Sequence, residues 1–86
     1  MPVTVELTYD MSKALGVRRF EVDDAATVSD VVRAARERFE AGDAFDRLSR
    51  VAAVAVNGVL VNYRKGMKTR LSDGDTVAFV KAAAGG

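Results

Sequence analysis

The chain contains no cysteine and no histidine. Without cysteine there is no disulfide to staple the fold and no thiolate to bind metal or attack a substrate. Without histidine it lacks the commonest general base and the commonest metal ligand. Tryptophan is also absent, and proline occurs once. No run approaches the ~20 apolar residues that would span a bilayer. The opening "MPVTVELTYD" lacks the basic start and apolar stretch of a secretory signal, so a cytoplasmic protein is expected. Charge of either sign is not in excess. The net formal charge of +1 gives no field for wholesale nucleic-acid or membrane attraction.

What remains is ordinary globular material: 86 residues, 49% hydrophobic and 29% charged, enough for one domain. Residues 3–9 alternate, with Val3, Val5, Leu7 and Tyr9 on one face and Thr4, Glu6 and Thr8 on the other. That pattern predicts a half-buried strand. Residues 10–17 read as a connection holding Gly16, too long for a tight hairpin. Residues 18–22 alternate again, with Phe20 and Val22 inward, as the antiparallel partner of the first strand.

Thr27 is placed to cap a helix, with Ser29 and Asp30 in its first turn. Val28, Val31, Val32, Ala35 and Phe39 recur at helical spacing, and Gly42 reads as the C-terminal stop, giving a helix of about four turns. Residues 43–50 read as a loop with at most a short helical turn. Asn57-Gly58 is a hairpin turn between two strands in "VAAVAVNGVLVNY". Residues 64–75 are irregular, with turns at Gly66 and at Asp73-Gly74-Asp75. A calcium loop needs more oxygen ligands at set spacing than the latter offers. Residues 76–81, "TVAFVK", form a last strand.

The order strand, strand, helix, strand, strand, strand predicts an α+β domain: a mixed sheet of about five strands packed on one main helix. First and last strands are the most apolar and belong side by side near the sheet centre. The chain then ends "FVKAAAGG". The domain is expected over 1–81, with 82–86 a flexible tail leaving the end of the sheet.

This sequence resembles the ubiquitin-like, β-grasp sulfur carriers of the ThiS/MoaD group. The likeness rests on "ALG" at 14–16, "TVSDVV" at 27–32, "VAVNGVLV" at 54–61, "LSDGDTVAFV" at 71–80 and the terminal Gly85-Gly86. It implies a carrier rather than an enzyme. The carboxylate of Gly86 would be joined to AMP by an ATP-dependent adenylating and sulfur-transfer enzyme. Sulfur from a cysteine desulfurase or rhodanese-type source would then make a thiocarboxylate for a sulfur-accepting synthase. The carrier would bind no cofactor; ATP, magnesium and any zinc would belong to its partners. Molybdopterin, thiazole, cysteine, thiolated tRNA and a secondary metabolite all stay open as the destination of the sulfur. A modifier conjugated through Gly86 and a β-grasp protein- or RNA-interaction module are the competing readings. The latter has only the basic stretch 64–70 in its favour, with Tyr63 as its one stacking aromatic.

Two bare glycines suit such a tail. A side chain at either position would obstruct close backbone approach, and glycine accepts the angles that threading demands. Ala82, Ala83 and Ala84 keep the remaining width small. Ordering five residues costs roughly 5–10 kcal/mol, so a docking face on the folded body must supply the surplus. Alternation places Ala53, Ala55, Ala78 and Val80 on the open face, with Leu60 beside them and Lys81 at the strand end. Arg64, Lys65, Lys68 and Arg70 form a basic rim suited to an acidic partner.

Overall fold

A computed structural model describes residues 2–39, 42–61 and 65–81. Strand β1 (Val3–Glu6) leads into helix α1 (Tyr9–Leu15), then strand β2 (Arg19–Val22) and helix α2 (Val28–Arg38). Helix α3 (Gly42–Ser49) follows, then β3 (Ala52–Val56), β4 (Val59–Leu60), a 3-10 turn (Gly66–Lys68) and β5 (Thr76–Lys81).

The sheet order is β2-β1-β5-β3-β4. β5 is central, parallel to β1 and antiparallel to β3; the β1–β2 and β3–β4 pairs are antiparallel. The expected side-by-side placement of first and last strands is what the sheet has. Its turn chemistry also follows the sequence. Asn57 (φ 50°) and Gly58 (φ 85°) both take the left-handed region, as a two-residue hairpin turn whose twist matches its strands requires.

α2 covers one face. Thr27 Oγ1 accepts from the Asp30 amide at 3.3 Å, and Asp30 Oδ2 accepts from the Thr27 and Ala26 amides at 3.2 and 3.0 Å. This reciprocal box satisfies amides that no earlier helical carbonyl can reach. Val28, Val31 and Ala35 are buried against Val5 and Phe20 of the sheet, and Phe45 of α3 fills the core beside Phe79, ring centroids 5.5 Å apart.

Four sequence expectations are corrected. α2 is about three turns long, not four, and ends at Arg38. Phe39 leaves it in an extended conformation and packs edge-on against Phe20 at 5.1 Å, so a tertiary contact stops the helix and Gly42 instead opens α3. Residues 43–50 are mostly helix, because Phe45 and Leu48 share a face that the core can bury. The 10–17 connection also contains a helix: Thr8 Oγ1 accepts from the Met11 amide at 3.1 Å, and Gly16 (φ 78°) ends it. β1 therefore stops at Glu6, and Tyr9, expected to face inward, is 74% exposed on the first turn of α1. The buried member of that segment is Met11.

Candidate functional site

The site is the end of the sheet from which residues 82–86 continue. β5 carries core residues Val77 and Phe79 on one face and Ala78 and Val80 on the other. Register then assembles the open face. Leu60 stands opposite Ala55, Ala55 opposite Ala78, and Ala78 beside Glu6; one step toward the strand end, Ala53 stands opposite Val80. The structure thus brings together Leu60, Ala78 and Val80 in one small-residue patch. Ala55 departs from expectation. It lies on this face but is only 7% exposed, because its methyl group sits between the taller Leu60 and its neighbour Ala78. Val80 is 39% exposed, and Lys81 is exposed at the strand's last residue.

A groove of about 400 Å³ opens beside that last residue. Thr8 and Tyr9 at the start of α1, Leu48 of α3, Val51 after it, and Val80 and Lys81 line it. Val51 is 71% exposed, and the Tyr9 ring carries the Lys13 ammonium at 5.2 Å. Three of the large exposed hydrophobic side chains therefore converge where β5 ends. The sequence pointed to Val80 alone. The signal for Tyr9 was present in Thr8 with Asp10 two residues on, a helix start rather than a strand.

The basic residues are placed elsewhere. Lys65, Lys68 and Arg70 are exposed, but the backbone ties of their segment run to the start of α2. The Thr69 carbonyl accepts from Val28, the Leu71 amide donates to Ala26, and Arg70 bridges Thr27. Lys81 is the sequence-predicted basic residue among those that line the groove. Arg64, Ala82, Ala83, Ala84, Gly85 and Gly86 lie outside the described residues, as does the expected boundary between domain and tail. Among the described residues no cluster of three acidic, histidine or cysteine side chains is placed to hold a metal ion. No described helix is long and apolar enough to cross a membrane.

A mixed five-stranded sheet around α2, with its central strand running out to the chain's last residues, is the ubiquitin-like β-grasp. The ThiS family model matches residues 9–86, and the chain belongs to that family of ubiquitin-fold sulfur carriers. It is similar, at 28% identity and TM-score 0.79, to a chain of the Amycolatopsis orientalis BexX/CysO complex, covering 98% of this chain and 99% of that one. The Haloferax volcanii HVO 2177 protein is also 28% identical, with TM-score 0.74 over 100% of this chain and 87% of that one. The small archaeal modifier protein 1 of Methanosarcina acetivorans shares the fold at TM-score 0.82 and 18% identity, covering 99% and 96%. A search of curated proteins gave no match.

Proposed function

We propose that this chain is a sulfur carrier whose working group is the carboxylate of Gly86. The carrying observation is membership of the ThiS family over a match that runs through Gly86, on a fold whose central strand leads directly into that segment. A carboxylate is a poor acyl donor. An ATP-dependent partner joins a Gly86 oxygen to the α-phosphorus of ATP, and pyrophosphate leaves. Hydrosulfide then attacks the acyl carbon and AMP departs with the bonding pair, leaving a thiocarboxylate. If the sulfur arrives as a persulfide, a thiol must afterwards cleave the acyl disulfide. The thiocarboxylate sulfur is a soft nucleophile for the substrate of an accepting synthase. Nothing in this sequence of steps asks for a cysteine or histidine in the carrier; the catalytic groups, ATP and its magnesium belong to partners.

The BexX/CysO assembly supports a protein partner for a chain of this kind. Five residues reach at most about 17 Å when extended. An enzyme that receives Gly86 must therefore come within that distance of Lys81. The open-face patch and the groove beside Lys81 are the docking surface we assign to it.

The test is ATP–pyrophosphate exchange with an ATP-dependent adenylating enzyme from the same organism, followed by intact-mass measurement after sulfide addition. The native chain should support exchange and gain the mass of sulfur for oxygen. Deleting Gly85 and Gly86 should abolish both with the fold intact. Normal activity of a chain extended beyond Gly86, without trimming, would overturn the proposal. A product heavier by a whole protein would instead identify a conjugated modifier.

A further inference from the structure

We infer that the free edge of β2 is a self-association surface, whose partner is β2 of a second copy of this chain, paired antiparallel about Phe20. It is separate from the end of β5 and independent of any chemistry at Gly86.

β2 is an edge strand, bordered only by β1. The ladder between them fixes which backbone groups of β2 are free. The Leu7 amide donates to the Arg18 carbonyl at 3.0 Å in the same register that sets Val5 opposite Phe20 and Val3 opposite Val22. Hydrogen-bonded and non-bonded pairs alternate along an antiparallel ladder. Arg18, Phe20 and Val22 therefore turn their backbone groups toward β1, while Arg19 and Glu21 turn theirs outward. β1 agrees: Thr4, opposite Glu21, sends its amide the other way, to Asp75 at 2.9 Å. Side chains follow the pleat. Phe20 and Val22 are buried, whereas Arg19 and Glu21 are exposed on the other face.

An added antiparallel strand must bond to Arg19 and Glu21, and it sets one residue opposite each. The residue opposite Arg19 should be acidic and the one opposite Glu21 basic, with an apolar residue between them. A segment of one charge meets either Arg19 or Glu21 with like charge. Arg19-Phe20-Glu21, run in the opposite direction, supplies all three residues. Pairing about Phe20 sets Arg19 of each copy against Glu21 of the other, and these two pairs exchange four backbone hydrogen bonds. Glu6 faces Arg19 from β1, so each arginine then lies between two carboxylates. The two Phe20 residues form the central non-bonded pair, with Cα atoms ~4.5 Å apart. The neighbouring registers that use the same outward groups set Arg19 against Arg19 or Glu21 against Glu21, so charge selects this one.

Arg38, the last residue of α2, bounds the surface. It donates from Nη1 to the Glu21 carbonyl at 2.7 Å, and its guanidinium rests over the Phe20 and Phe39 rings, 5.3 and 5.9 Å from their centroids. It therefore reaches the carbonyl from the helix side of the sheet. A carbonyl oxygen has two lone pairs, which leaves the one in the sheet plane for the second copy's Arg19 amide. A charged side chain at a strand edge discourages indiscriminate pairing. The second strand would cover the groove of about 430 Å³ that Phe20, Phe39, Arg19, Glu21 and Arg38 line.

Strands of four residues bury far less than the ~1,600 Å² of a stable interface. The pair is accordingly weak, with a dissociation constant on the order of 0.1–1 mM. Two five-stranded sheets become one, with both open faces on the same side. The two β5 strands run in opposite directions, about 24 Å apart at five interstrand steps, so both β5 ends stay accessible.

The experiment is sedimentation velocity and NMR on the full chain over about a hundredfold range of concentration reaching millimolar. Association should rise with concentration, and exchange of the Arg19 and Glu21 amides should slow severalfold. Phe20 and Val22 amides, already bonded to β1, should change little. Arg19→Glu and Glu21→Arg should each weaken self-association at least about tenfold, because each sets like charges together twice. Mixing the two variants should restore it, since every cross-strand pair in the mixed dimer then joins opposite charges. The remaining spectrum of each variant reports an intact fold. A chain that stays monomeric at millimolar concentration would overturn the inference. So would association that ignores the single reversals, or a mixture that associates no better than its components.

Discussion

Val80 stands directly opposite Ala53, on the open face of the sheet and one residue before β5 ends. The pair sets an apolar step beside the last residue of β5. Val80→Asp should leave folding intact, since the side chain is already partly in water. It should weaken binding to the activating partner by ~1–2 kcal/mol, a factor of roughly 5–30 in affinity. Titration calorimetry checks this, and unchanged affinity would remove Val80 from the docking surface.

Charge around the site is divided by the fold. Lys81 lies at the groove, whereas Lys65, Lys68 and Arg70 belong to a segment tied to the start of α2. Lys81→Glu should therefore slow association with an acidic partner several-fold at low salt, with the difference fading as salt is added. Reversing Lys65, Lys68 and Arg70 together should change the on-rate less. Stopped-flow rates across ionic strength distinguish the two sets.

Asp30 gives the fold a dependence on acid. The Ala26 amide holds its carboxyl below the ordinary value, helped by the Thr27 amide and by Arg33, whose Nη2 lies 2.7 Å from Oδ1; desolvation opposes them. A folded pKa below the unfolded one contributes stability that is complete above the unfolded value of 3.8. It is lost as pH falls through the folded value. Asp30→Asn should be less stable than the parent at neutral pH, and the gap should close below the unfolded value. Thermal melts across that range measure it, and a gap independent of pH would assign the loss to something other than ionisation.

Phe45 is 0% exposed and meets Phe79 at an interplanar angle of 80°. Phe45→Ala should cost ~3–5 kcal/mol, a large share of the stability of so small a domain. Denaturant unfolding would show a fall in midpoint at nearly constant slope. Loss of less than about 1 kcal/mol would mean that α3 repacks freely.

The elements legible in the sequence are those whose signals are local. Thr27 with Asp30, the valines of α2 and Asn57-Gly58 each specify their structure over a few residues, whatever surrounds them. α1 and α3 were hard to read because seven or eight residues are marginal as isolated helices. Each is stabilised by burying a side chain, Met11 or Phe45, in a core assembled from distant strands. The same reason hid half of the candidate site. Val80 and Leu60 follow from strand alternation, but Tyr9 and Val51 join them only because α1 and α3 pack together at the sheet end.

Sequence alone determined the absence of cysteine and histidine, the hydrophobic periods that make a helix-backed sheet, and the glycine pair after its last described strand. Composition and short-range spacing carry those properties without reference to folding. Tertiary structure alone decided which residues share the end of β5, where α2 stops, and that Arg38 lies across the outward carbonyl of Glu21. Each depends on strand register and helix docking between residues far apart in the chain, and no local pattern encodes them.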